Sequence, residues 1–293
     1  ILSPLRGGLL TQFFLLFPRL NKNTMAHQYF WATPKRVWAV VLFFAFLVSS
    51  CVTSEIDTHD NAENSEISDM IEGGRLYDNW WKDQEGAEEP QIDHPLWKLQ
   101  TTNKRSKGAT WRCKECHGWD YKGKDGVYSR GSHRTGFPGV LGSSALPVDK
   151  LEAILRGETN PDHDFSSFLS KSTIQKLAKF MHQALLDMDQ YIDSPTKQLL
   201  GSVDLENGKQ VYVKTKCSHC HGEDGIRVAE SKKEYLGTIA RGNPWEFIHK
   251  TRFGDPGEIM PTIKVKIHPE ETRTRMPSGE KSGYTMQDML DLV

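Results

Sequence analysis

Hydrophobic and small residues recur at helical spacing in separate segments of this chain, and polar residues fill the stretches between them. One segment, Ser68–Lys82, combines glycines with aromatic residues at that spacing and predicts a helix. A second helix is predicted over Val148–Arg156, ended by Gly157. A third begins at Ser170 or two residues later and keeps its apolar face as far as Met188. The pattern therefore predicts a helical protein.

The same order of elements recurs toward the C-terminus with tighter spacing. Gly208 and Tyr212 open this second set. Asn243 is predicted to cap a helix over Trp245–Arg252, with a proline at the first helical position. A last helix is predicted over Met286–Val293, and we expect further turns of it beyond the sequence given. The recurrence predicts two domains of similar construction, 68–192 and 203–293, joined by a linker at 193–202.

Residues 1–51 are interpreted as a signal or leader region, with the native start expected at Met25. Two basic residues precede the apolar run Val37–Val48, and small residues lead from it to Cys51. The run has 12 residues, fewer than the roughly 20 that span a bilayer. Its end resembles the lipobox of a bacterial lipoprotein, which implies a lipid on Cys51. An ordinary signal peptide and an uncleaved anchor are the alternatives, and each predicts a periplasmic protein held at or exported across the membrane.

Residues 52–67 are polar and acidic, which predicts a solvated tether between the membrane and the first domain. The net charge of −1 gives no indication of a nucleic-acid partner. The hydrophobic fraction of 37% is low for a compact protein of this length.

Two short runs carry the candidate chemistry, CKECH at Cys113–His117 and CSHCH at Cys217–His221. A Cys-x-x-Cys-His run is a c-type haem attachment signal, in which two thiols bond the porphyrin and the histidine binds its iron. Zinc binding and dithiol redox chemistry use similar spacings. The runs contain four of the five cysteines, Cys113, Cys116, Cys217 and Cys220, so no pair is left for a disulfide or a four-cysteine zinc site. The sequence therefore predicts two covalently bound haems c.

With these two runs the chain resembles the class I cytochromes c in a tandem dihaem arrangement. The resemblance implies an all-α fold of two tandem class I cytochrome c domains, each with a few helices wrapped around one covalently bound haem. A long polar insert at 83–109 departs from the usual pattern, since it separates the first helix from Cys113. The resemblance further implies that His117 and His221 are the proximal iron ligands.

The distal ligand in this family comes from the loop before each domain's last helix. In the second domain two Met-Pro pairs compete for this role. Met260 lies six residues after Gly254, and Met276 lies nine residues before Thr285. We favour Met260 and keep Met276 as the alternative, because methionine is the usual ligand where the potential is high.

The first domain has no methionine in the corresponding loop. Counting six residues from Gly157 reaches His163, and counting nine back from Ser172 reaches the same residue. We therefore predict His117 and His163 as a bis-histidine pair, with Met181 or His133 as alternatives. The remaining histidines are interpreted as surface or capping residues, with His249 as a candidate contact for a haem propionate.

Six-coordinate haems leave no vacant position for a substrate, which favours electron transfer over catalysis. The predicted function is a periplasmic dihaem electron carrier in a respiratory or oxidative chain, passing electrons from haem 1 to haem 2 and binding redox partner proteins. The alternatives are a dihaem enzyme of the peroxidase or thiosulfate dehydrogenase type, and a cytochrome subunit of a larger oxidoreductase. Six aromatic residues are expected to pack around the haem or to form a docking face: Trp80, Trp81, Trp97, Trp111, Trp119 and Tyr121.

Overall fold

A computed structural model describes residues 65–228, 234–260, 262–263 and 284–293. All of these residues belong to one compact unit, Thr53–Val293. Helices and loops dominate it, and the strands in this part of the chain form one two-stranded antiparallel sheet with Ile192 opposite Leu199. None of the described helices is both long and apolar enough to cross a bilayer. The predicted leader, lipidated Cys51 and most of the predicted tether lie outside the described residues.

The elements follow the predicted order along the chain. The helices before the sheet are α1 over residues 65–83, α2 (Cys113–His117), α3 (Val148–Leu155) and α4 (Lys171–Gln183). The sheet consists of β1 (Ile192–Asp193) and β2 (Gln198–Leu199). After it come α5 (Leu205–Lys214), α6 (Cys217–His221), α7 (Leu236–Gly242), α8 (Pro244–Phe253) and α9 (Met286–Leu290). Short 3-10 helices span Pro95–Leu99, Lys107–Trp111, Val127–Ser129, Leu141–Ala145, Pro161–His163 and Met188–Gln190.

Some predicted boundaries are wrong. Helix α1 already includes residues 65–67, which were assigned to the tether, because Ile67 is buried in the core. Helix α4 ends at Gln183, and Met188 belongs to a separate 3-10 helix that is buried beside it. Helix α9 ends at Leu290 rather than Val293. Of the two predicted starts of α4, Ser170 is the one observed, since its hydroxyl caps the helix by accepting a hydrogen bond from the Thr173 amide at 3.1 Å.

The described chain has a first half before the sheet and a second half after it, and in each half a glycine allows close contact between the first and last helices. A methyl group on Gly73 of α1 would lie 2.6 Å from Cβ of Phe180 on α4. A methyl group on Gly208 of α5 would lie 2.7 Å from the carbonyl carbon of Asp291, just after α9. Both distances are too short for carbon atoms in contact. Each half therefore depends on a glycine to bring its first and last helices together.

The buried core continues from one half into the other. Helix α8 contributes His249 and Phe253, which contact aromatic residues of the first half. The His249 ring lies between the Tyr121 hydroxyl, 2.8 Å from Nδ1, and the Gly74 carbonyl, 2.9 Å from Nε2. Side chains on both sides of the predicted linker at 193–202 thus share one core.

Candidate cofactor sites

The first Cys-x-x-Cys-His run forms the one-turn helix α2, which Gly118 ends. Gly118 has φ +80°, a conformation that favours glycine, and its amide donates to the Lys114 carbonyl at 2.9 Å. The Gly118 carbonyl accepts a hydrogen bond from the buried Tyr77 hydroxyl at 2.7 Å. Tyr77 therefore attaches α2 to α1.

The second run repeats this arrangement in α6. Gly222 has φ +80° and follows the helix, and its carbonyl accepts a hydrogen bond from the Tyr212 hydroxyl at 2.6 Å. Tyr212 follows Gly208 by four residues on α5, as Tyr77 follows Gly73 on α1. In both runs, a tyrosine hydroxyl thus donates a hydrogen bond to the carbonyl of the positive-φ glycine that ends the helix.

A cavity of about 610 Å³ lies against α2. Cys113, Cys116 and His117 line it from one side, and His163 lines it from the loop before α4. Most of its remaining wall is apolar, and its volume lies within the range of roughly 300–1,000 Å³ that is typical of cofactor and ligand sites. Burial raises the pKa of Cys113 to about 12 and raises that of Cys116 as well. Reactive dithiols have depressed pKa values, so the direction of these shifts does not favour a dithiol redox site.

The two imidazoles predicted as an iron-binding pair meet in this cavity. His117 Nδ1 donates to the Pro138 carbonyl at 2.7 Å, and His163 Nδ1 donates to the Ile154 carbonyl at 3.4 Å. These bonds leave Nε2 of each ring as the metal-binding nitrogen, the usual arrangement for histidine ligands. The ring centroids are 6.3 Å apart. A metal held between the two rings, with a metal–nitrogen distance of about 2 Å on each side, would need a centroid separation of about this size.

Burial favours the neutral form of both rings, which is the form that binds a metal. Burial lowers the pKa of His117 to about 4, and burial also lowers the pKa of His163. Of the two alternatives, Met181 lines the same cavity from α4. His133 does not line it, because its ring stacks on Tyr128 and its Nδ1 lies 3.2 Å from Glu115 Oε1. His133 as a ligand is therefore wrong.

A second cavity, of about 290 Å³, lies against α6. Cys217 and His221 line it together with Met260, so the favoured distal methionine and the proximal histidine border the same space. Burial lowers the pKa of His221, with Asp255 opposing the shift. Cys220 is exposed in this structure. The alternative, Met276, lies outside the described residues.

Comparison with known proteins adds one finding to this geometry. Residues 205–293 match the family model described as Cytochrome c. This segment is similar to a cytochrome c domain. It begins with α5 and contains α6, the second cavity and α9. No curated protein and no solved structure matches the chain.

The cytochrome c domain implies covalently bound haem c, and the residues present fit that group. Its donor set consists of the two thiols and the histidine of α6, and Cys217 and His221 line a cavity that also contains the Met260 thioether. The helical architecture is consistent with the cytochrome c fold. In the first half, outside the matched segment, the donor set of two thiols and two imidazoles satisfies the same chemical requirement.

Sequence reasoning missed that His94, which lies in the insert before the first run, borders the first cavity. Its capping role is confirmed, because Nδ1 accepts a hydrogen bond from the Leu96 amide at 3.2 Å. A surface position is wrong, since the side chain lines the first cavity and the residue is only 6% exposed. Its ring centroid lies 5.9 Å from that of His163 and 4.5 Å from that of Trp111. Burial, with the nearby His163 and His117, lowers the pKa of His94 to about 4.

A buried carboxylate attaches this insert to the first run. Glu115 is fully buried between the two cysteines of α2. Its Oε1 accepts a hydrogen bond from Asn103 Nδ2 at 2.8 Å and lies 3.2 Å from Arg105 Nη1, and both partners belong to the insert. Lys114 Nζ lies 3.0 Å from the other carboxylate oxygen. The pKa of Glu115 is lowered because these partners and His133 outweigh the effect of burial, which raises it.

The aromatic residues do not form a docking face. All six are buried, and Trp111 is the member of the group that lines the first cavity. Trp80 and Trp81 pack edge to face in the core. His249 is fully buried by its contacts with Tyr121 and the Gly74 carbonyl, so its proposed role at a propionate is wrong.

Proposed function

We propose that this protein is a dihaem c-type cytochrome that transfers electrons. The observation that carries the proposal is the repeated construction of the two attachment helices. Each ends at a left-handed glycine held by a tyrosine hydroxyl, and each borders a cavity that contains a candidate distal ligand. The family match supports haem at the second run. The repeat of its geometry supports haem at the first.

Haem c supplies a one-electron iron couple when it is bound at these runs. In the first half, His117 and His163 present neutral imidazoles whose orientations are set by backbone carbonyls. In the second half, His221 and Met260 border the cavity. A methionine in place of a second histidine raises the reduction potential, so we propose that electrons enter at the first site and leave from the second.

Several residues of this chain limit water at the first site. Leu151, Leu155 and Phe165 line the cavity from α3 and the loop after it, and each is buried. The insert contributes His94 and Leu96 to the lining of the same cavity. An apolar, water-poor surrounding is one of the factors that set a haem potential.

The test begins with the amount of haem. Protein made in cells with a working cytochrome c maturation system should carry two haems per chain by pyridine haemochrome assay. The double substitution C113A/C116A should remove one haem and leave the other, and C217A/C220A should do the reverse. A wild-type chain with one haem, unaffected by C113A/C116A, would refute the dihaem proposal.

The ligand scheme has its own measurement. EPR of the oxidised protein should contain a bis-histidine signal that disappears in H163A and persists in M260A. A redox titration should give two separate potentials, and M260A should change only the higher one. A bis-histidine signal that is unchanged in H163A would refute the proposed first-site pair.

We further propose that the protein is periplasmic and anchored by a lipid on Cys51, and that its partners are redox proteins at the membrane surface. The basic and apolar order of residues 35–51 supports this location. Mass spectrometry of membrane-extracted protein should find a diacylglyceryl group at Cys51, and C51S should release the protein from membranes. Unmodified Cys51 in the mature protein would refute the anchor.

A further inference from the structure

His94 has a hydrogen-bond donor that its surroundings do not use. Its Nδ1 accepts from the Leu96 amide, so the single proton of the neutral imidazole is on Nε2. Within the described part of the chain, no hydrogen bond engages Nε2, although the residue is more than nine-tenths buried and borders the first cavity. The first cavity therefore offers His94 Nε2–H as a hydrogen-bond donor to a bound ligand.

The two imidazoles of the proposed ligand pair are held with different firmness. His117 ends an α-helix and donates its Nδ1 proton at 2.7 Å. His163 lies in the three-residue 3-10 helix Pro161–His163, and its Nδ1 contact of 3.4 Å is long for a hydrogen bond. The loop is tied to the insert by the exposed pair of Lys98 and Asp162 at 3.5 Å, and such pairs contribute little. The ring of His163 is therefore less firmly held than that of His117.

We infer that the first site binds a small ligand of two or three atoms in place of His163, and that His94 Nε2–H donates a hydrogen bond to it. The inference rests on the proposed haem at the first run. The His94 and His163 rings are 5.9 Å apart between centroids, so a ligand in the space that His163 leaves lies beside His94. That spacing fits a diatomic molecule or a small anion with an acceptor atom at its outer end.

Carbon monoxide is the probe, because its stretching frequency responds to a nearby hydrogen-bond donor. The full chain with both haems is reduced and exposed to carbon monoxide, and the adduct is observed by infrared spectroscopy. The wild type should form an adduct that C113A/C116A lacks, which assigns it to the first site. H163A should bind faster with the same frequency, because no ligand has to be displaced.

Substitutions at His94 then test the donor. H94F should raise the carbon monoxide stretching frequency and weaken binding about 2- to 10-fold, the equivalent of one hydrogen bond. H94Q, which retains a donor, should lie nearer the wild type. The matched control is L146M, which changes another residue of the same cavity but no donor, and it should leave the frequency unchanged.

Three results would overturn the inference. The first is a wild-type protein that forms no adduct at the first site. The second is an identical frequency in the wild type and H94F. The third is an H163A protein that remains six-coordinate and low-spin but loses its sixth ligand in the double variant H163A/H94F. That result would mean that His94 binds the iron itself. Failure of the dihaem proposal is distinguishable, because it appears in the haem count before carbon monoxide is added.

Discussion

Replacing His249 by glutamine should remove an acid-sensitive part of the stability of this protein. The imidazole is fully buried on α8 and is hydrogen bonded through both nitrogens, to the Tyr121 hydroxyl and the Gly74 carbonyl. Burial lowers the pKa of His249 to about 4, despite the opposing charge of nearby Asp78. The native state therefore holds a neutral ring at pH values where an unfolded chain would be protonated.

The size of the effect follows from the two pKa values. The folded value of about 4 lies below the ordinary 6.5 by some 2.5 units, which corresponds to about 3 kcal/mol. Between these values the unfolded chain binds a proton that the native state does not, so stability rises with pH. The stability that depends on a neutral His249 is fully present above pH 6.5 and is lost as the pH falls to about 4.

Urea unfolding of the haem-loaded protein, followed by far-UV circular dichroism at several pH values from 7 to 4, measures this contribution. Glutamine can accept from Tyr121 and donate to the Gly74 carbonyl, but it does not titrate. As the pH falls from 7 to 4, the wild type should therefore lose about 3 kcal/mol of unfolding free energy that H249Q keeps.

The matched control is Y121F, which removes one hydrogen bond and keeps the imidazole. It should lower the unfolding free energy by about 1 kcal/mol at both ends of the pH range. A constant difference between H249Q and the wild type across the range would refute the reasoning. It would mean that His249 is protonated in the native state or accessible to water.

Three further predictions concern contacts that hold the fold together. G208A should lower the unfolding free energy by about 1–3 kcal/mol, because its methyl group would overlap the backbone after α9. The control is G242A, whose methyl group would meet open space, and it should leave the thermal melting temperature nearly unchanged. D78N should cost about 3 kcal/mol in urea unfolding, since it leaves two cations beside a buried neutral group; an effect below 1 kcal/mol would contradict this. E115Q should release the insert, seen as faster proteolytic cleavage within residues 84–109 while cleavage elsewhere is unchanged.

Prediction from the sequence worked where a feature depends on neighbours along the chain. The start of α4 near Ser170 and the end of α8 before Gly254 were predicted from residues within one turn of each end, although the predicted cap Asn243 makes no side-chain hydrogen bond to the start of α8. The cavity that contains both His117 and His163 was also expected, because family spacing was counted from local landmarks. Boundaries failed where distant packing decided them, as at Ile67, whose burial extends α1 toward the N-terminus.

The fates of two histidines separate what the sequence determined from what tertiary structure decided. The sequence by itself determined the two attachment runs, because covalent attachment needs only two thiols and an imidazole at fixed spacing along the chain. Only the folded structure brought His94 into the first cavity and buried His249 against Tyr121 and Gly74. Burial and ring orientation result from contacts between residues far apart in the chain, and no local pattern around either histidine encodes them.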